Sequence, residues 1–381
     1  MRTVVTLAVI GITLASCSSP TPDSQTKDAG GTRTSKIEHV AAISTTELRS
    51  TPSSISFPTF DDGFISESNY LAHTVDAARS WSEIKPGLGA VEQVQFLSPT
   101  KGFVLSHEGL FSSSNAGLTW KRSGSTSPAL TWISFSTVKD GWGVADDSLW
   151  KTANAGASWK RFATPIQPTV ACFVSAGTGW ISGTSISKRS PLISKTVDGG
   201  RTWSQSGLTE SLLRESGQPP YKVLALSCAA PTTIWALVVP TGAGYAGGEM
   251  YGVYGSSNGG KSWRLAGVNP AKPKFPAAPS AQPEGLQVAK NSKTVLVVAS
   301  CGGCDNLGTT TVGVTSEGHA NWHSALLKGV GFSSVDLIAF PTDSKAWAIT
   351  ARKTEGGYRL RIFDTKNFGT SWTSRPIFEI R

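Results

Sequence analysis

The sequence predicts an all-β protein, a single ring of seven four-stranded antiparallel sheets, and three observations support this. An eight-residue motif, Ser/Thr-x-Asp/Asn-x-Gly-x-Ser/Thr-Trp, occurs seven times at intervals of 39 to 60 residues. A glycine–aromatic pair or an apolar replacement precedes each copy. Between them lie short apolar runs separated by Gly, Asn and Asp, which is typical of antiparallel strands. Repeats of this length and content predict the blades of a β-propeller.

The first residues are expected to be a lipoprotein signal peptide, residues 1–16. Arg2 is followed by the apolar run Val4–Leu14, which is too short to span a bilayer. The run ends in Leu14-Ala15-Ser16-Cys17, which resembles the lipobox of bacterial lipoproteins. This resemblance implies cleavage before Cys17 and attachment of acyl chains such as palmitate to that residue. The alternative is an ordinary secretory signal with a chance cysteine.

Residues 17–36 are expected to be the lipidated cysteine and a disordered tether, since they contain almost nothing apolar. Residues 37–381 are then one propeller domain. The net charge of +9 favours anionic surroundings: lipid headgroups, wall polymers or an acidic protein partner. The charges are interspersed without a basic stripe, so we do not expect nucleic-acid binding. We expect a monomer held on the extracytoplasmic face of the cell-envelope membrane, without a cofactor or metal.

Each repeat reads as strand A, a turn, strand B opening with the glycine–aromatic pair, a hairpin, strand C, the motif, and strand D. The third repeat predicts strands at Leu130–Ser136, Trp142–Ala145, Ser148–Thr152 and Trp159–Phe162. The pairs that open strand B are Gly63-Phe64, Gly102-Phe103, Gly141-Trp142, Gly179-Trp180, Ile234-Trp235, Thr294-Val295 and Ala346-Trp347.

The motif resembles the Asp box, or BNR repeat, of sialidases and related propellers. Its central residues are Asp76, Asn115, Asn154, Asp198, Asn258 and Asn367, and its copies end at Trp81, Trp120, Trp159, Trp203, Trp263, Trp322 and Trp372. The resemblance implies a structural turn between strands C and D, in which the Asp or Asn bonds its own turn and the Trp enters the core. Ala78 replaces the glycine in the first copy, and the sixth copy, Thr315–Trp322, is irregular, so both turns should be looser.

The paired motifs also resemble the seven-bladed photosystem II assembly and stability factor family, over about residues 50–375. That resemblance implies a binding or assembly scaffold without catalytic residues. Of the thirteen tryptophans, only Trp132 and Trp150 lie outside the two repeating series.

Four long connections point to a binding surface. They are Gly207–Pro220, with a helical turn expected at Glu210–Arg214, Pro240–Glu249, Gly267–Gly285 and Cys301–Gly308. Propeller topology places all four on the face opposite the motif, in blades four to six. We therefore expect recognition of a protein or envelope ligand there, and the alternative is neutral drift of exposed loops.

The cysteines suggest disulfides, as expected outside the cytoplasm. Cys301 and Cys304 can close on each other within their loop, although a redox or metal-binding pair is the alternative. Cys172 and Cys228 lie in the A strands of neighbouring blades, which predicts a disulfide between blades four and five.

An exo-sialidase or other glycoside hydrolase is the alternative function that the Asp boxes suggest. Sialidases are six-bladed and need three convergent arginines, a Tyr–Glu pair and an acidic proton donor. The nearest approach to their Arg-containing element is Leu48-Arg49-Ser50-Thr51-Pro52, which differs in spacing and context. The five histidines are scattered along the chain. The sequence therefore favours a non-enzymatic scaffold.

Overall fold

The computed structural model describes residues 32–34, 36–37, 52–124, 128–184, 191–209, 213–214, 220–241, 250–269, 282–300, 310–315, 322–327, 333–353 and 358–375. Two short strands come first, β1 (Thr32–Thr34) and β2 (Lys36–Ile37). Seven sets of four antiparallel strands follow, and each set is one blade. The predicted seven-bladed all-β fold is confirmed.

Blades one to three are short and regular. Their strands are β3 Ser54–Ser56, β4 Gly63–Glu67, β5 Tyr70–Thr74 and β6 Ser82–Lys85; β7 Val91–Phe96, β8 Gly102–Ser106, β9 Gly109–Ser113 and β10 Thr119–Arg122; and β11 Trp132–Phe135, β12 Gly141–Ala145, β13 Ser148–Thr152 and β14 Lys160–Phe162. The third blade matches its prediction to within two residues at every strand end.

Blades four to seven have longer inner strands. Their strands are β15 Gln167–Phe173, β16 Gly179–Thr184, β17 Pro191–Thr196 and β18 Ser204–Gln205; β19 Tyr221–Ala230, β20 Thr233–Pro240, β21 Tyr251–Ser256 and β22 Arg264–Asn269; β23 Gln282–Val288, β24 Val295–Ser300, β25 Thr310–Thr315 and β26 Trp322–Leu327; and β27 Ser333–Ala339, β28 Ala346–Lys353, β29 Tyr358–Thr365 and β30 Thr373–Ser374. In every blade the strands pair in sequence order, A to B to C to D.

Seven apolar clusters hold the ring together, one between each pair of neighbouring blades. Successive residues of a strand point to opposite faces of its sheet. Thus Phe64 packs towards blade two, and the next residue, Ile65, packs towards blade seven. Each blade therefore buries both faces, which a lone four-stranded sheet cannot do.

The two repeating series of the sequence meet at these interfaces. The strand-B aromatic of one blade and the motif tryptophan of the next blade pack in the same cluster, as Phe64 and Trp120 do. In blade six, however, the register pairs Val295 with Thr315 and Leu296 with Val314. The pair that opens this strand is therefore Val295-Leu296, and the predicted pair Thr294-Val295 is wrong by one residue.

A phenylalanine at the end of strand A explains the glycine that opens strand B. Phe96, Phe135 and Phe173 pair with Gly102, Gly141 and Gly179 across the two strands. A Cβ atom added at any of these glycines would collide with the phenylalanine ring. The missing side chain thus lets a large ring pack over the neighbouring strand.

The ring closes through packing between blade seven and blade one. Trp347 of β28 stacks on Phe57 and Phe60, with ring centroids 5.1 and 4.9 Å apart. Its indole N–H donates to the Phe60 carbonyl at 3.1 Å. In the part of the chain that the structure describes, the four strands of each blade follow one another in sequence, so the closure seen there comes from side chains and not from a shared strand.

The first two strands form a strap on the outer rim. β1 pairs antiparallel with β10, the outer strand of blade two, and β2 pairs with β6, the outer strand of blade one. One residue, Ser35, separates them. These residues differ from the expected tether through residue 36, because open outer edges offer backbone groups with which an extended segment can pair. Cys17 lies outside the described residues.

Candidate functional site

The predicted motif residues form hydrogen bonds within their own turns. In the fourth copy, Asp198 Oδ1 accepts the backbone N–H groups of Arg201 and Thr202, both at 3.0 Å. The Thr202 hydroxyl donates to Asp198 Oδ2, and the Gly200 N–H donates to the Thr196 hydroxyl at 2.8 Å. Because the carboxylate form accepts these bonds, first of all those from Thr202, the pKa of Asp198 falls to about 2.

The same pattern of hydrogen bonds occurs in the other described copies. It is built by Asp76, Asn115, Asn154, Asn258 and Asn367 with the hydroxyl residues at the first and seventh positions. The first copy keeps it although Ala78 replaces glycine, since the Ala78 N–H donates to the Thr74 hydroxyl at 3.0 Å. The expectation of a looser first turn is therefore wrong. Residues 316–321 of the sixth copy lie outside the described residues.

The tryptophans that end the motif copies pack between blades. Trp81 and Trp120 are buried in their clusters. The other five are partly buried against the corresponding clusters: Trp159, Trp203, Trp263, Trp322 and Trp372. The indole N–H of Trp322 crosses to the preceding blade and donates to the Ala266 carbonyl at 2.8 Å. The motif thus supplies structural residues.

Most of the predicted binding loops lie outside the described residues. This holds for 210–212, 215–219, 242–249, 270–281 and 301–309, and with them for Cys301 and Cys304. The connection from blade four to blade five is described in part. The Leu213 N–H donates to the Thr209 carbonyl at 3.1 Å, the i to i−4 spacing of the helical turn expected there.

That connection is anchored to the body of the propeller. Leu208 and Leu213 are buried in the cluster between blades four and five, beside Trp180 and Tyr254. The Tyr254 hydroxyl reaches the Leu213 carbonyl at 3.5 Å. Burial of these two leucines fixes the connection to the ring at Leu208 and Leu213.

A pocket of about 190 Å³ is lined in part by Val170 and Leu226, which also pack against the cluster between blades four and five. Its walls are three neighbouring A strands, and its lining residues are Trp132, Val144, Thr169, Val170, Ala171, Leu224, Ala225 and Leu226. Trp132 pairs with Val144 close to the hairpin between strands B and C. The pocket is therefore nearer the face that carries the long connections than the face of the motif.

Local irregularities of two strands shape the pocket. The register of β15 against β16 shifts between Pro168 and Val170, and that of β19 against β20 shifts between Val223 and Ala225. Such bulges re-aim side chains, and they commonly occur beside functional sites. They place half-buried apolar side chains of blades four and five opposite Trp132.

A disulfide fixes the spacing of two of the walls. Cys172 of β15 and Cys228 of β19 are bonded, with Cα atoms 6.0 Å apart, which confirms the predicted bridge between blades four and five. Each cysteine lies two residues beyond a pocket residue, Val170 and Leu226. The covalent link therefore joins β15 and β19, the two strands that supply most of the pocket's lining residues.

Sequence reasoning missed this pocket, although one signal was present. Trp132 is one of the two tryptophans outside the repeating series, and a large aromatic without a place in the repeat is a candidate for a special role. Its partners come from blades four and five, about 40 and 90 residues away in the sequence. No local pattern connects such distant positions.

Two further observations concern metal ions and membrane-spanning helices. Within the described ranges no group of three or more His, Cys, Asp or Glu residues is placed to hold a metal ion. In the same part of the chain, no helix is both long and apolar enough to cross a membrane.

The sequence matches no protein-family model, and no curated protein sequence matches it. Among solved structures, the chain is similar to a GH74 xyloglucanase from Xanthomonas campestris, with a TM-score of 0.55 and 12% identity over 92% of this chain and 56% of that one. It thus spans about half the length of that enzyme. The tricorn protease matches with a TM-score of 0.50 and 8% identity, over 89% and 36% of the chains. YCF48 bound to a D1 peptide matches with a TM-score of 0.42 and 15% identity, over 89% and 88%. The similarity to the xyloglucanase and the protease shows a shared β-propeller fold.

Proposed function

We propose that this protein is a membrane-anchored extracytoplasmic binding scaffold that recognises a protein partner at the pocket of blades three to five. The pocket itself is the observation that carries the proposal, because apolar side chains of three blades converge there. Two of them, Val170 and Leu226, also pack against the cluster that holds Leu208 and Leu213. One of the long connections, Gly207–Pro220, leads into the strand that supplies Leu224 and Leu226, and the long connections of blades four to six would add contacts. Cys17 would carry the lipid that holds the scaffold at the membrane.

The size and chemistry of the pocket suit one apolar or aromatic side chain of a partner. Small-molecule sites usually measure about 300–1,000 Å³, so this pocket is small for a whole ligand. Protein interfaces, in contrast, gain much of their affinity from a few anchors buried in such pockets. Trp132, Val170, Leu224 and Leu226 supply an apolar wall for an anchor of this kind.

The same residues argue against glycoside hydrolysis. A glycosidase needs two carboxyl groups on either side of the scissile bond, and none of the residues that line the pocket is acidic. A sialidase also needs convergent arginines. The seven A strands (β3, β7, β11, β15, β19, β23 and β27), the first strand of each blade, contain no arginine. The likeness to a xyloglucanase is a likeness of fold, which many unrelated functions share.

Site-specific photocrosslinking in the native envelope tests the proposal. A photoreactive residue at Leu226 should give one discrete crosslinked species, and Trp132→Ala should remove at least about 90% of it, as expected for the loss of a hot-spot contact. A photoreactive residue at Val138, on the opposite face, is the matched control. Equal crosslinking from both positions, or hydrolysis in a broad glycosidase screen, would overturn the proposal. Cys17→Ser should in addition let a high-salt wash move the protein from the membrane to the soluble fraction, because no lipid would then hold it there.

A further inference from the structure

The five most exposed large apolar side chains of the described residues share one face of the propeller. They are Val75, Leu118, Val138, Val197 and Phe368, and Val75 and Val197 are about two-thirds exposed, at 65% and 66%. Four of them lie in the turns between strands C and D, and Val138 lies in a turn between strands A and B. We call the face formed by these two sets of turns the turn face.

The described part of the turn face is also basic. Its connections contain nine basic residues: Arg79, Lys101, Lys139, Arg201, Lys261, Lys290, Lys293, Lys345 and Lys366. They contain six acidic residues, of which Asp76 and Asp198 accept hydrogen bonds within their own turns. Those two carboxylates stay ionised, so nine positive and six negative charges give these connections a net charge of +3.

Two lysines lie beside one aromatic ring at the seam between blades seven and one. The ammonium groups of Lys345 and Lys366 lie 4.7 and 5.8 Å from the centroid of the Phe60 ring. Phe368 follows Lys366 by two residues in the same turn, and Val75 lies in the corresponding turn of blade one. Asp61, Asp62 and Asp343 lie in the same A–B turns as Phe60 and Lys345. Both ammonium groups nevertheless face one ring, where a lipid phosphate could pair with them.

We infer that the turn face rests on an anionic bilayer surface, with the apolar tips inserted among the headgroups and the lysines and arginines paired with lipid phosphates. Surfaces that combine projecting apolar side chains with basic residues bind such membranes. The described A–B and C–D connections are short, so no long loop among them would hold the face away. The inference rests on the proposed membrane anchoring.

This orientation agrees with the position of the strap. From Cys17 to Thr32 the chain can extend about 50 Å, which is enough to join a membrane-embedded lipid to the rim of blades one and two. The pocket of blades three to five would then be nearer the face directed away from the membrane, where a partner can approach. The turn face of the propeller would contact the membrane, and the opposite face would bind the partner.

Vesicle binding by the full mature chain with Cys17→Ser tests the inference, because this variant has no lipid of its own. Vesicles that contain phosphatidylglycerol should bind it at least about tenfold more tightly than vesicles of phosphatidylcholine alone, and salt should weaken the binding. The double variant Lys345→Glu/Lys366→Glu should lose at least about tenfold of the binding to anionic vesicles. Phe368→Ser should weaken binding to the same vesicles with less dependence on salt.

The control is Lys121→Glu/Lys222→Glu, which makes the same change in net charge on exposed residues outside the turn face. Its binding should stay within about twofold of the parent, and unchanged thermal melting of both double variants would show that both fold. Equal losses in the two double variants, or no preference for anionic vesicles, would overturn the inference. So would binding to an anionic wall polymer without binding to vesicles. Because this assay needs neither the acyl chains nor the pocket, its failure is distinct from a failure of the crosslinking experiment.

Discussion

At the scale of single residues, the repeated turns require a backbone that most side chains resist. The fourth and fifth residues of every described copy have positive φ, for example Gly199 at 75° and Gly200 at 84°. In the first copy the fifth residue is Ala78, with φ of 58°. A left-handed conformation costs a residue with a Cβ atom roughly 1–2 kcal/mol. The side-chain hydrogen bonds of the turn hold Ala78 in this conformation.

Replacing Ala78 by glycine should therefore stabilise the protein, by up to about 1 kcal/mol once the greater entropy of glycine in the unfolded chain is subtracted. The reverse change, Gly200→Ala, should destabilise it by about 1–3 kcal/mol, because the new Cβ atom would lie 2.9 Å from the Trp142 ring. Urea unfolding monitored by tryptophan fluorescence measures both effects. Destabilisation by Ala78→Gly would contradict this account of the turn.

The residue scale also shows what a sequence can predict. The Asp or Asn, the hydroxyl residues and the glycine of each turn interact within eight residues, so their pattern predicts their structural role. The residues of the pocket, in contrast, are far apart in the sequence. Trp132, Val170 and Leu226 become neighbours only after three blades have packed, and two strand bulges shift their alignment. Apolar residues at these positions look like any other part of an inner strand.

At the scale of elements, inner strands are fastened to one another by side chains as well as by apolar packing. The Gln93 amide donates to the Ile133 carbonyl at 2.8 Å and accepts the Ile133 N–H at 2.9 Å. Gln95 repeats both bonds with Phe135. Each amide thus imitates the backbone of a strand between blades two and three, an arrangement that the alternating pattern of strands does not predict.

The strap is the other element that sequence patterns did not predict. Its composition is polar, so it reads as a tether, and only the free outer edges of blades one and two show why it forms strands. The same blades could be predicted from their own sequence because each strand pairs with the next one along the chain.

Removal of residues 17–37 should uncover β6 and β10. We expect faster hydrogen exchange at amides of these two outer strands, because their free edge groups would then bond water. Exchange in outer strands to which no other described strand pairs at the free edge, such as β14 and β22, should not change. Hydrogen exchange with peptide-level mass spectrometry measures this directly. Unchanged exchange in both β6 and β10 would argue against the pairing.

At the scale of the whole molecule, stability depends on interfaces that repeat around the ring, and one of them is covalent. The disulfide between Cys172 and Cys228 closes a long stretch of chain that includes all of blade four after its inner strand. A cross-link of this kind restricts the unfolded chain, whatever it adds to the folded one.

The double variant Cys172→Ser/Cys228→Ser should lower the free energy of unfolding by about 2–5 kcal/mol. Urea unfolding of oxidised parent and variant measures the difference. Adding a reductant should bring the parent to the level of the variant and cause no comparable change in the variant itself. If the parent and the variant unfold at the same urea concentration, the bridge does not stabilise the ring.

The closure of the ring by Phe57, Phe60 and Trp347 has a consequence for how such a chain can change. Among the described residues no strand is shared between the first and last blades, so apart from the strap each boundary between blades in space is also a boundary along the gene. Recombination at these boundaries would move whole blades, and new termini placed between two other blades would leave seven complete sheets. Whole blades can therefore be exchanged by recombination, as they are also separate units of the structure. Any rearranged chain would have to form again the contact of Phe57 and Phe60 with Trp347 that closes the ring.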